Sequence, residues 1–349
     1  MGAPEPKRIS IEEARRLVSE RVAGLEGEEV ALDDALGRVL AQAAVAQIVR
    51  RPASEDQDMT GPVVAIATCA EHPDLDDEGR MLLHALCGLD IQAEPAVWSE
   101  EPEGGWSRPD LVILRSTWDY TFALPDFLAW ARTIGPQRLL NPPDVVAWNA
   151  DKRYLAELAH AGLATIATEH LPPGDAFTPP PGRFVVKPSV AAGARGAQVF
   201  DDDRHDQARA HLQRLHASGH DVLVQPYLDA VDGDEGEIAL VFIEGELSHA
   251  MHKGPLLALD RPAIEAGFEP EQMSTARPAA DVVALGHATH ALVRERFGRP
   301  LYARVDVLRD GAGAPAVLEL ELIEPSLFLD HAPGSAQALA RAIVARLRA

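Results

Sequence analysis

Hydrophobic and polar residues alternate strictly near the C-terminus, where Leu318, Leu320 and Leu322 are separated by Glu319 and Glu321. A period of two is typical of a β-strand with one buried face. We therefore predict a strand that buries the three leucines on one face and presents both glutamates on the other.

A second strand is predicted just before it, in the segment YARVDVLRD, and the turn RDGAGAP with Gly311 and Gly313 joins the two. Folding this hairpin would bring Asp306 roughly opposite Glu319, although a slip of one residue would reverse the facing. Arg304, two residues before Asp306, would share its face. The hairpin therefore predicts a compact cluster of carboxylates on rigid backbone.

This acidic cluster has the oxygen ligands that Mg²⁺ prefers, since the ion takes a few carboxylates and completes its shell with water and phosphate oxygens. Glu324 lies beyond the alternating strand, next to Pro325, and we expect it to line a substrate pocket rather than to bind metal. The alternative is a strand whose polar face is simply solvated. Repulsion between closely packed like charges argues against that alternative, because a bound cation would remove the repulsion.

Two lysines stand where a phosphate site would need them. Lys187 ends the strand-like run GRFVVKPS and precedes a loop of small residues with Gly193 and Gly196. Backbone N–H groups of such a loop can approach phosphates, and the lysine supplies a positive charge. Lys152 begins a predicted helix whose apolar stripe consists of Tyr154, Leu155, Leu158 and Ala159. On spacing alone, such lysines are more often surface residues.

Sequence patterns also predict two further strands, a connector and a helix. Val222 to Val224 and Ile238 to Ile243 have the composition of strands and flank an acidic, glycine-containing loop. A proline-rich connector covers residues 172–182. His287 and His290 share one face of a predicted helix, which we expect to be solvated.

A possible substrate segment is LVILRSTWDYTF, which runs an apolar strand into polar residues. The ends of strands in α/β sheets are common ligand sites. Arg115 could hold a substrate carboxylate and Asp119 an amino group, with Ser116, Thr117 and Trp118 beside them. Equally, the aromatic residues could close the core and Asp119 could cap the following helix. The two interpretations carry similar weight, and one segment can do both.

Composition narrows the class of function. The chain has 349 residues, enough for more than one domain, and a formal net charge of −22. That charge argues against nucleic acid or an anionic membrane as a partner, because both need basic surface. No apolar run approaches a membrane span, and Cys69 and Cys87 form no recognisable pattern, so we expect a cytoplasmic location. The sequence contains no motif of an activated serine, of a zinc protease or of paired cysteines.

Taken in order, the lysine helix, the lysine strand with its loop, the acidic loop and the carboxylate hairpin resemble the ATP-grasp superfamily. The resemblance extends from about Val63 to His331 and rests on the blocks VAIATC, LRSTWDY, FLAWA, LLNPPDVVAWNADKRYLAEL, FVVKPSV, VQPYL, ARVDVL and LELIEPSLFLDHAP. In particular, the chain is similar to the cycloserine-biosynthesis cyclo-ligases and related glutathione-synthetase-like ligases. This implies an α+β fold in which two subdomains clamp ATP, preceded by a small Rossmann-like α/β domain.

The resemblance also implies a role for each matching residue, with ATP and two Mg²⁺ ions as cofactors and Mn²⁺ as a substitute. The metal ligands would be Asp306, Glu319 and Glu321, the last at a position that is commonly asparagine in related ligases. Arg304 and Lys253 would stabilise the acyl phosphate and the transferred phosphate. The nucleotide would contact Lys152, Lys187, Gly193, Gly196, Gln225, Pro226, Tyr227, Leu228 and Glu237. The substrate would contact Arg115, Ser116, Thr117, Trp118, Asp119, Asn149, Glu324 and Ser326.

Residues 1–60 lie outside this pattern. Ser10 and Glu13 form a predicted capping box for a first helix, and VALDDALGRVLAQAAV predicts a second. The run GEEVALDDALGRVLAQ is similar to the N-terminal segment of molybdopterin-biosynthesis proteins of the molybdenum-insertion type. We interpret residues 1–60 as a helical arm that packs on the body or on a second subunit, so a homo-oligomer is expected. The remaining predicted divisions are a Rossmann-like domain over 61–148, an ATP-grasp lid subdomain over 149–222 and a catalytic subdomain over 223–349.

The implied activity is an ATP- and Mg²⁺-dependent ligase that joins a carboxylate to an amine through an acyl phosphate. Its substrate would be an amino-acid-like small molecule, with ring closure within one molecule as the specific form. Phosphoryl transfer requires placement and charge neutralisation rather than a nucleophile from the protein. Two alternatives stay open: a ligase that modifies a peptide held by the arm, and an inactive nucleotide-binding scaffold that recruits a partner through the arm.

Overall fold

Three β-sheets organise the part of the chain that the structure, a computed structural model, describes: residues 61–233, 235–259, 263 and 272–348. The strands are β1 (Val63–Thr68), β2 (Gln92–Val97), β3 (Leu111–Leu114), β4 (Leu139–Leu140), β5 (Glu169–Leu171), β6 (Phe184–Pro188), β7 (Gln198–Phe200), β8 (Val222–Pro226), β9 (Glu237–Ile243), β10 (Glu246–Lys253), β11 (Met273–Thr275), β12 (Tyr302–Arg309) and β13 (Pro315–Glu321). The helices are α1 (Asp77–Cys87), α2 (Leu124–Ile134), α3 (Pro143–Asn149), α4 (Tyr154–His160), α5 (His205–Ala217), α6 (Ala280–Phe297) and α7 (Ser335–Leu347). The predictions for the helical arm and its molybdopterin-type segment fall on residues outside the described ranges.

The first sheet is parallel, with strand order β2-β1-β3-β4. Every residue of β1 is buried, because helices cover both faces of the sheet. Val64 and Ile66 pack against Leu82 of α1, whereas Ala65 on the other face packs with Phe127 of α2. This arrangement agrees with the predicted Rossmann-like domain.

The second sheet is antiparallel, with order β5-β8-β6-β7 and helix α5 packed against it. In β6, Phe184 and Val186 are buried in the core, while Val185 and Lys187 alternate onto the half-buried face. The strand order also affects the predicted domain boundary between residues 222 and 223. That boundary falls inside β8, which pairs with β5 and β6.

The third sheet is antiparallel, with order β11-β10-β9-β12-β13. The predicted hairpin register is confirmed, since Asp306 pairs with Glu319 and Arg304 pairs with Glu321. A β-bulge follows, where Val307 pairs with Val317 and leaves Leu318 unopposed. The prediction that all three leucines share the buried face is therefore wrong for Leu318, which is half-buried.

Two other sequence predictions are corrected by the helices. Ala159 is exposed near the end of α4, although Tyr154, Leu155 and Leu158 are buried as predicted. His290 is buried at 5% exposure and stacks on the ring of Phe242, so the expectation of a solvated helix face is wrong there. None of the helices among the described residues is both long and apolar enough to span a membrane.

Candidate active site

The second and third sheets, together with the segments that follow β1 and β3, border one cavity of about 580 Å³, which we call the central cavity. Most of the residues predicted to bind nucleotide, metal or substrate line it. These are Asn149, Lys152, Lys187, Gly193, Gln225, Pro226, Tyr227, Leu228, Glu237, Lys253, Arg304, Glu319, Glu321, Glu324, Ser326 and Trp118. Asp306 is buried behind this wall and contacts it through Lys253 and Arg304.

The carboxylate hairpin, formed by Arg304, Asp306, Glu319 and Glu321 on β12 and β13, carries the densest charge. Arg304 donates from Nε and Nη2 to the two carboxylate oxygens of Asp306, each at 2.9 Å. The same guanidinium contacts the carboxylate of Glu321. Lys152 forms an ion pair with Glu319 at 3.1 Å. The acidic cluster is therefore compensated by cations of the protein itself, so repulsion alone does not call for a metal.

The titration of these acids depends on their partners. Burial raises the pKa of Asp306, but Arg304 and Lys253 outweigh it and lower the pKa to about 2. Burial also opposes ionisation of Glu319, whose pKa is nevertheless lowered by Lys152 and Lys187. For Glu321, burial and the neighbouring carboxylates outweigh Arg304 and raise the pKa to about 7. One member of the hairpin can thus hold a proton near neutral pH when no further cation is present.

The hairpin suits magnesium by its donor chemistry rather than by its present geometry. Among the described residues, no three histidine, cysteine or acidic side chains converge as a metal site. However, Asp306, Glu319 and Glu321 offer hard oxygen ligands on adjacent strands. These three residues would hold the ion if Arg304 and Lys152 turned toward other anions.

The opposite wall supplies positive charge. Half-buried Lys187 forms no ion pair with any other described residue, and burial lowers its pKa. Lys152 donates to the carbonyl oxygen of Ala191 at 2.7 Å, which ties it to the small-residue loop. In that loop, Gly193 and Gly196 have φ values of 62° and 72°, a region that other residues rarely adopt. A Cβ on Gly196 would also lie 3.1 Å from Cδ of Pro188, so glycine is required there.

The predicted adenine hinge, Gln225 to Leu228, lies at the end of β8 and lines the cavity. Its conformation is supported from outside, because the Tyr227 N–H donates to the Arg183 carbonyl oxygen at 2.9 Å. Glu237 accepts from Lys253 Nζ at 2.6 Å, and the same amine lies 3.3 Å from Asp306. Glu237 and Lys253 are thus joined to the carboxylate hairpin by one chain of charges.

The predicted substrate segment is only partly at the cavity. Trp118 lines it, whereas Arg115, Ser116, Thr117 and Asp119 are not among its lining residues. Arg115 is 3% exposed and its Nη2 donates to Glu78 at 3.0 Å, so its charge is already paired. Asp119 accepts from the indole of Trp98 at 2.6 Å and does not cap a helix. This geometry argues against the predicted contacts of Arg115 and Asp119 with substrate.

Ser116 and Thr117 are held inside the first domain. The hydroxyl of Ser116 donates to Asp76 Oδ1 at 3.1 Å, and Thr117 is fully buried. Asn149 lines the cavity but uses its amide on β13, donating to the Leu320 carbonyl oxygen and accepting from the Leu322 N–H. These contacts favour structural roles for the side chains of Ser116 and Asn149.

Glu324 and Ser326 fit their predictions more closely. Glu324 is 8% exposed and lines the cavity, and its carboxylate makes no hydrogen bond or ion pair with another described residue. Burial and the charge of Glu321 raise its pKa to about 8. The carbonyl oxygen of Ser326 accepts from Arg304 Nη1 at 3.2 Å.

Several cavity residues were missed from sequence. His72 and Asp76 follow β1, Arg195 lies in the small-residue loop, and Phe328 follows the carboxylate hairpin. The signal for Asp76 was present, since it precedes a helix and accepts from the Gly79 N–H as its N-cap. The bulged Leu318 had no such signal, because a change of face at a bulge cannot be seen in a pattern of alternation.

Comparisons with known proteins agree with this geometry. Residues 64–141 match the family model described as the N-terminal domain of D-cycloserine synthetase DcsG. The cycloserine biosynthesis protein DcsG of Streptomyces lavendulae is 34% identical over 308 residues, which cover 82% of this chain and 99% of that protein. A crystal structure of D-cycloserine synthetase DcsG has a TM-score of 0.74 at 33% identity, over 82% of this chain and 99% of that one.

More distant structures share the fold alone. D-alanine–D-alanine ligase from Bacillus anthracis has a TM-score of 0.57 at 13% identity, covering 82% of this chain and 98% of that chain. The ATP-grasp ligase PsnB, complexed with a minimal precursor, Mg and ADP, has a TM-score of 0.53 at 18% identity, covering 84% and 99%. The predicted ATP-grasp fold is thereby confirmed. The chain belongs to the DcsG family of ATP-grasp ligases and is an ATP-dependent ligase.

Proposed function

We propose that the protein activates the carboxylate of an amino-acid-like small molecule as an acyl phosphate and joins it to an amine of the same molecule, which closes a ring. The relative that is 34% identical is named for cycloserine biosynthesis, which supports ring closure on a small molecule. A cavity of about 580 Å³ lies within the range of small-molecule sites, which supports the same substrate class.

The observation that carries this proposal is the pairing of opposite charges across one cavity. Lys187 forms no ion pair with another described residue, while the carboxylate hairpin faces the same space from another sheet. A half-buried ammonium group is costly without an anion, and phosphate oxygens would supply one. The phosphates of ATP would lie between Lys152, Lys187 and the hairpin, with adenine at Gln225 to Leu228 and the ribose near Glu237.

The proposed reaction has two balanced steps. A substrate carboxylate oxygen bonds to the γ-phosphorus of ATP and ADP leaves, which forms the acyl phosphate. The amine nitrogen then bonds to the carbonyl carbon, inorganic phosphate leaves, and the amine loses one proton. Arg304 would stabilise the negative charge that develops on the carbonyl oxygen, and Lys253 the charge on the transferred phosphate.

Magnesium would be held by Asp306, Glu319 and Glu321, and it would neutralise charge on the phosphates. Two ions, and replacement by Mn²⁺, are part of the proposal. Titration of ATP binding with each metal, followed by calorimetry of the wild-type protein and of Asp306→Asn, tests the number of ions and the ligands.

The function is tested with the wild-type chain, ATP, Mg²⁺ and a panel of amino acids of both configurations that carry a second amine or aminooxy group. We expect release of ADP and phosphate, and a product lighter than its substrate by one water. A product that contains two substrate molecules would contradict ring closure but keep the ligase reaction. If no panel member causes phosphate release while Asp306→Asn binds nucleotide as the wild type does, the ligase proposal for this panel fails.

We further propose that residues 1–60 mediate a homo-oligomer, because the two helices predicted there from sequence would have to pack their apolar residues on the body or on a second subunit. Light scattering of the full chain and of a variant without residues 1–58 tests this. The same number of subunits in the assemblies of both proteins would contradict this proposal.

A further inference from the structure

One carboxylate that the proposed chemistry does not use lies behind the wall of the central cavity, in contact with residues 327 and 328. Glu78 is the second residue of α1, and its side chain is 12% exposed. It accepts three hydrogen bonds, of which one comes from Arg115 Nη2 at 3.0 Å. The other two come from the backbone N–H groups of Leu327 and Phe328, both at 2.8 Å. A helix of the first domain therefore holds a segment that lies 249 residues further along the chain.

The segment that Glu78 holds forms part of the cavity wall. We call residues 326–328 the substrate-end segment, since Ser326 and Phe328 line the cavity next to Glu324. It has no regular structure of its own between β13 and α7. Phe328 has a φ of 51°, a conformation that is uncommon for a residue other than glycine. Its backbone therefore needs outside support, and the Phe328 N–H receives that support from Glu78.

The substrate-end segment in turn contacts Arg304. The carbonyl oxygen of Ser326 accepts from Arg304 Nη1 at 3.2 Å, and the Arg304 guanidinium carbon lies 5.4 Å from the centre of the Phe328 ring. A fixed guanidinium is needed where negative charge develops in the reaction. A displacement of the substrate-end segment would therefore change both the shape of the substrate pocket and the position of the Arg304 guanidinium group.

The position of the Glu78 carboxylate depends on its ion pair with Arg115. Arg115 is 3% exposed, and among the described residues its Nε and Nη1 atoms have no hydrogen-bond partner. Glu78 is thus its one ion-pair partner in the described part of the chain. The pair keeps a carboxylate, which accepts at both oxygens, in front of two N–H donors.

From these contacts we propose that Glu78 is a positioning residue for the ligase reaction, which acts with Arg115 by fixing the substrate-end segment and through it Arg304. The inference rests on the proposed function for its kinetic consequence, but its structural consequence is independent of any substrate. The variant Glu78→Gln allows both consequences to be measured. Glutamine has nearly the same shape as glutamate but places an N–H₂ donor against one of the two backbone N–H groups.

The first experiment is hydrogen exchange of the full-length protein, followed by mass spectrometry of the peptide that contains Leu327 and Phe328. We expect Glu78→Gln to accelerate exchange of these two amides at least tenfold, while peptides from β12 and β13 keep their wild-type protection. The matched control is Asp77→Asn in the same turn of α1, whose side chain is 94% exposed. It should exchange as the wild type does.

The second experiment measures kinetics with ATP and the panel substrate that gives the fastest phosphate release. Glu78→Gln should lower kcat/KM for that substrate at least tenfold and leave the calorimetric Kd of a non-hydrolysable ATP analogue within about twofold, because the adenine hinge lies on another sheet. Equal losses for substrate and nucleotide would indicate a general structural defect and overturn the proposal, as would unchanged exchange at Leu327 and Phe328. Lack of turnover in the wild type would instead count against the proposed function, and the exchange result would still stand.

If Glu78→Gln does not fold, Arg115→Lys provides the same test. Lysine keeps the charge but not the guanidinium geometry, and the exchange of Leu327 and Phe328 should again increase. Wild-type exchange in this variant would overturn the proposal.

Discussion

The carboxylate hairpin and the substrate-end segment border the same cavity, yet they are held in different ways. In the hairpin, Arg304 and Asp306 lie two residues apart on one strand, and Glu319 and Glu321 are paired with them across a short turn. The substrate-end segment is instead supported by the carboxylate of Glu78, which lies 249 residues before Leu327 in the sequence. Local alternation therefore builds the first region, whereas domain packing builds the second.

Asp306 in the hairpin and Glu78, which supports the substrate-end segment, have pKa values shifted in opposite directions. Arg304 and Lys253 overcome burial and lower the pKa of Asp306 to about 2, so it stabilises the fold above its ordinary pKa and loses that contribution as pH falls toward 2. Burial raises the pKa of Glu78 in spite of Arg115 and two backbone donors. Direct pairing with two cations thus keeps a buried acid ionised more firmly than one cation and two amides do.

The largest effect on turnover and stability is expected from Arg304→Ala, because Arg304 is part of the carboxylate hairpin and also contacts the substrate-end segment. The change leaves Asp306 and Glu321 without their shared cation and removes the donor to Ser326. We expect turnover to fall ~10²–10³-fold and the free energy of unfolding to fall by about 3–5 kcal/mol. Phosphate release and urea unfolding measure the two quantities.

Arg304→Lys serves as the control for this variant, since it keeps the charge and loses the two-pronged contact with Asp306. Its stability should lie between those of Arg304→Ala and the wild type. A fully stable Arg304→Ala protein would show that the hairpin acids are not dependent on this cation.

A smaller effect is expected from Lys187→Met on the opposite wall, where the substitution should stabilise the nucleotide-free protein. Lys187 forms no ion pair with another described residue, and burial outweighs the attraction of Glu319 and lowers its pKa, so its removal should raise the melting temperature of the nucleotide-free protein. The Kd for ATP should rise roughly 10–100-fold, as expected for the loss of one charge-assisted contact. Thermal unfolding and calorimetry test both expectations.

Lys152→Met is the matched comparison for Lys187→Met. Lys152 is paired with Glu319 at 3.1 Å and donates to Ala191, so its loss should lower the melting temperature as well as the affinity for ATP. If both variants were stabilised, the charge pairing described for the hairpin would be wrong.

The smallest effect concerns Glu324, which joins the two regions in sequence. Its pKa is raised to about 8 by burial and by Glu321, so folding favours the protonated acid. Stability is therefore highest below the ordinary carboxyl pKa and is lost as pH rises through about 8. Glu324→Gln should match the wild type near pH 5 and exceed it at pH 9, by on the order of a few kcal/mol at most.

Thermal unfolding without metal or nucleotide, at both pH values, checks this prediction for Glu324. Asp330→Asn is a suitable control, because Asp330 follows in the same stretch of chain and is exposed. A Glu324→Gln protein that gains nothing at high pH would indicate that the carboxylate has an undetected partner.

Much of the candidate site could be predicted from residues that are close in sequence. The facing of Asp306 and Glu319 follows from alternation and a tight turn, and Lys187 follows from its place at the end of β6. The ion pair of Arg115 could not be predicted, for a physical reason. A buried arginine at the end of a strand can meet a ligand or another helix, and only the packing of α1 brings Glu78 within 3.0 Å of it.

The sequence by itself determined the elements whose partners are near neighbours along the chain: the hairpin register and the motif order that identifies an ATP-grasp ligase. The tertiary structure decided what depends on distant contacts. It turned Leu318 out of the core at a bulge, used Asn149 to hold β13, and placed Glu78 beneath the substrate-end segment. Alternation specifies which face a residue shares with its neighbours, but not which distant group meets that face.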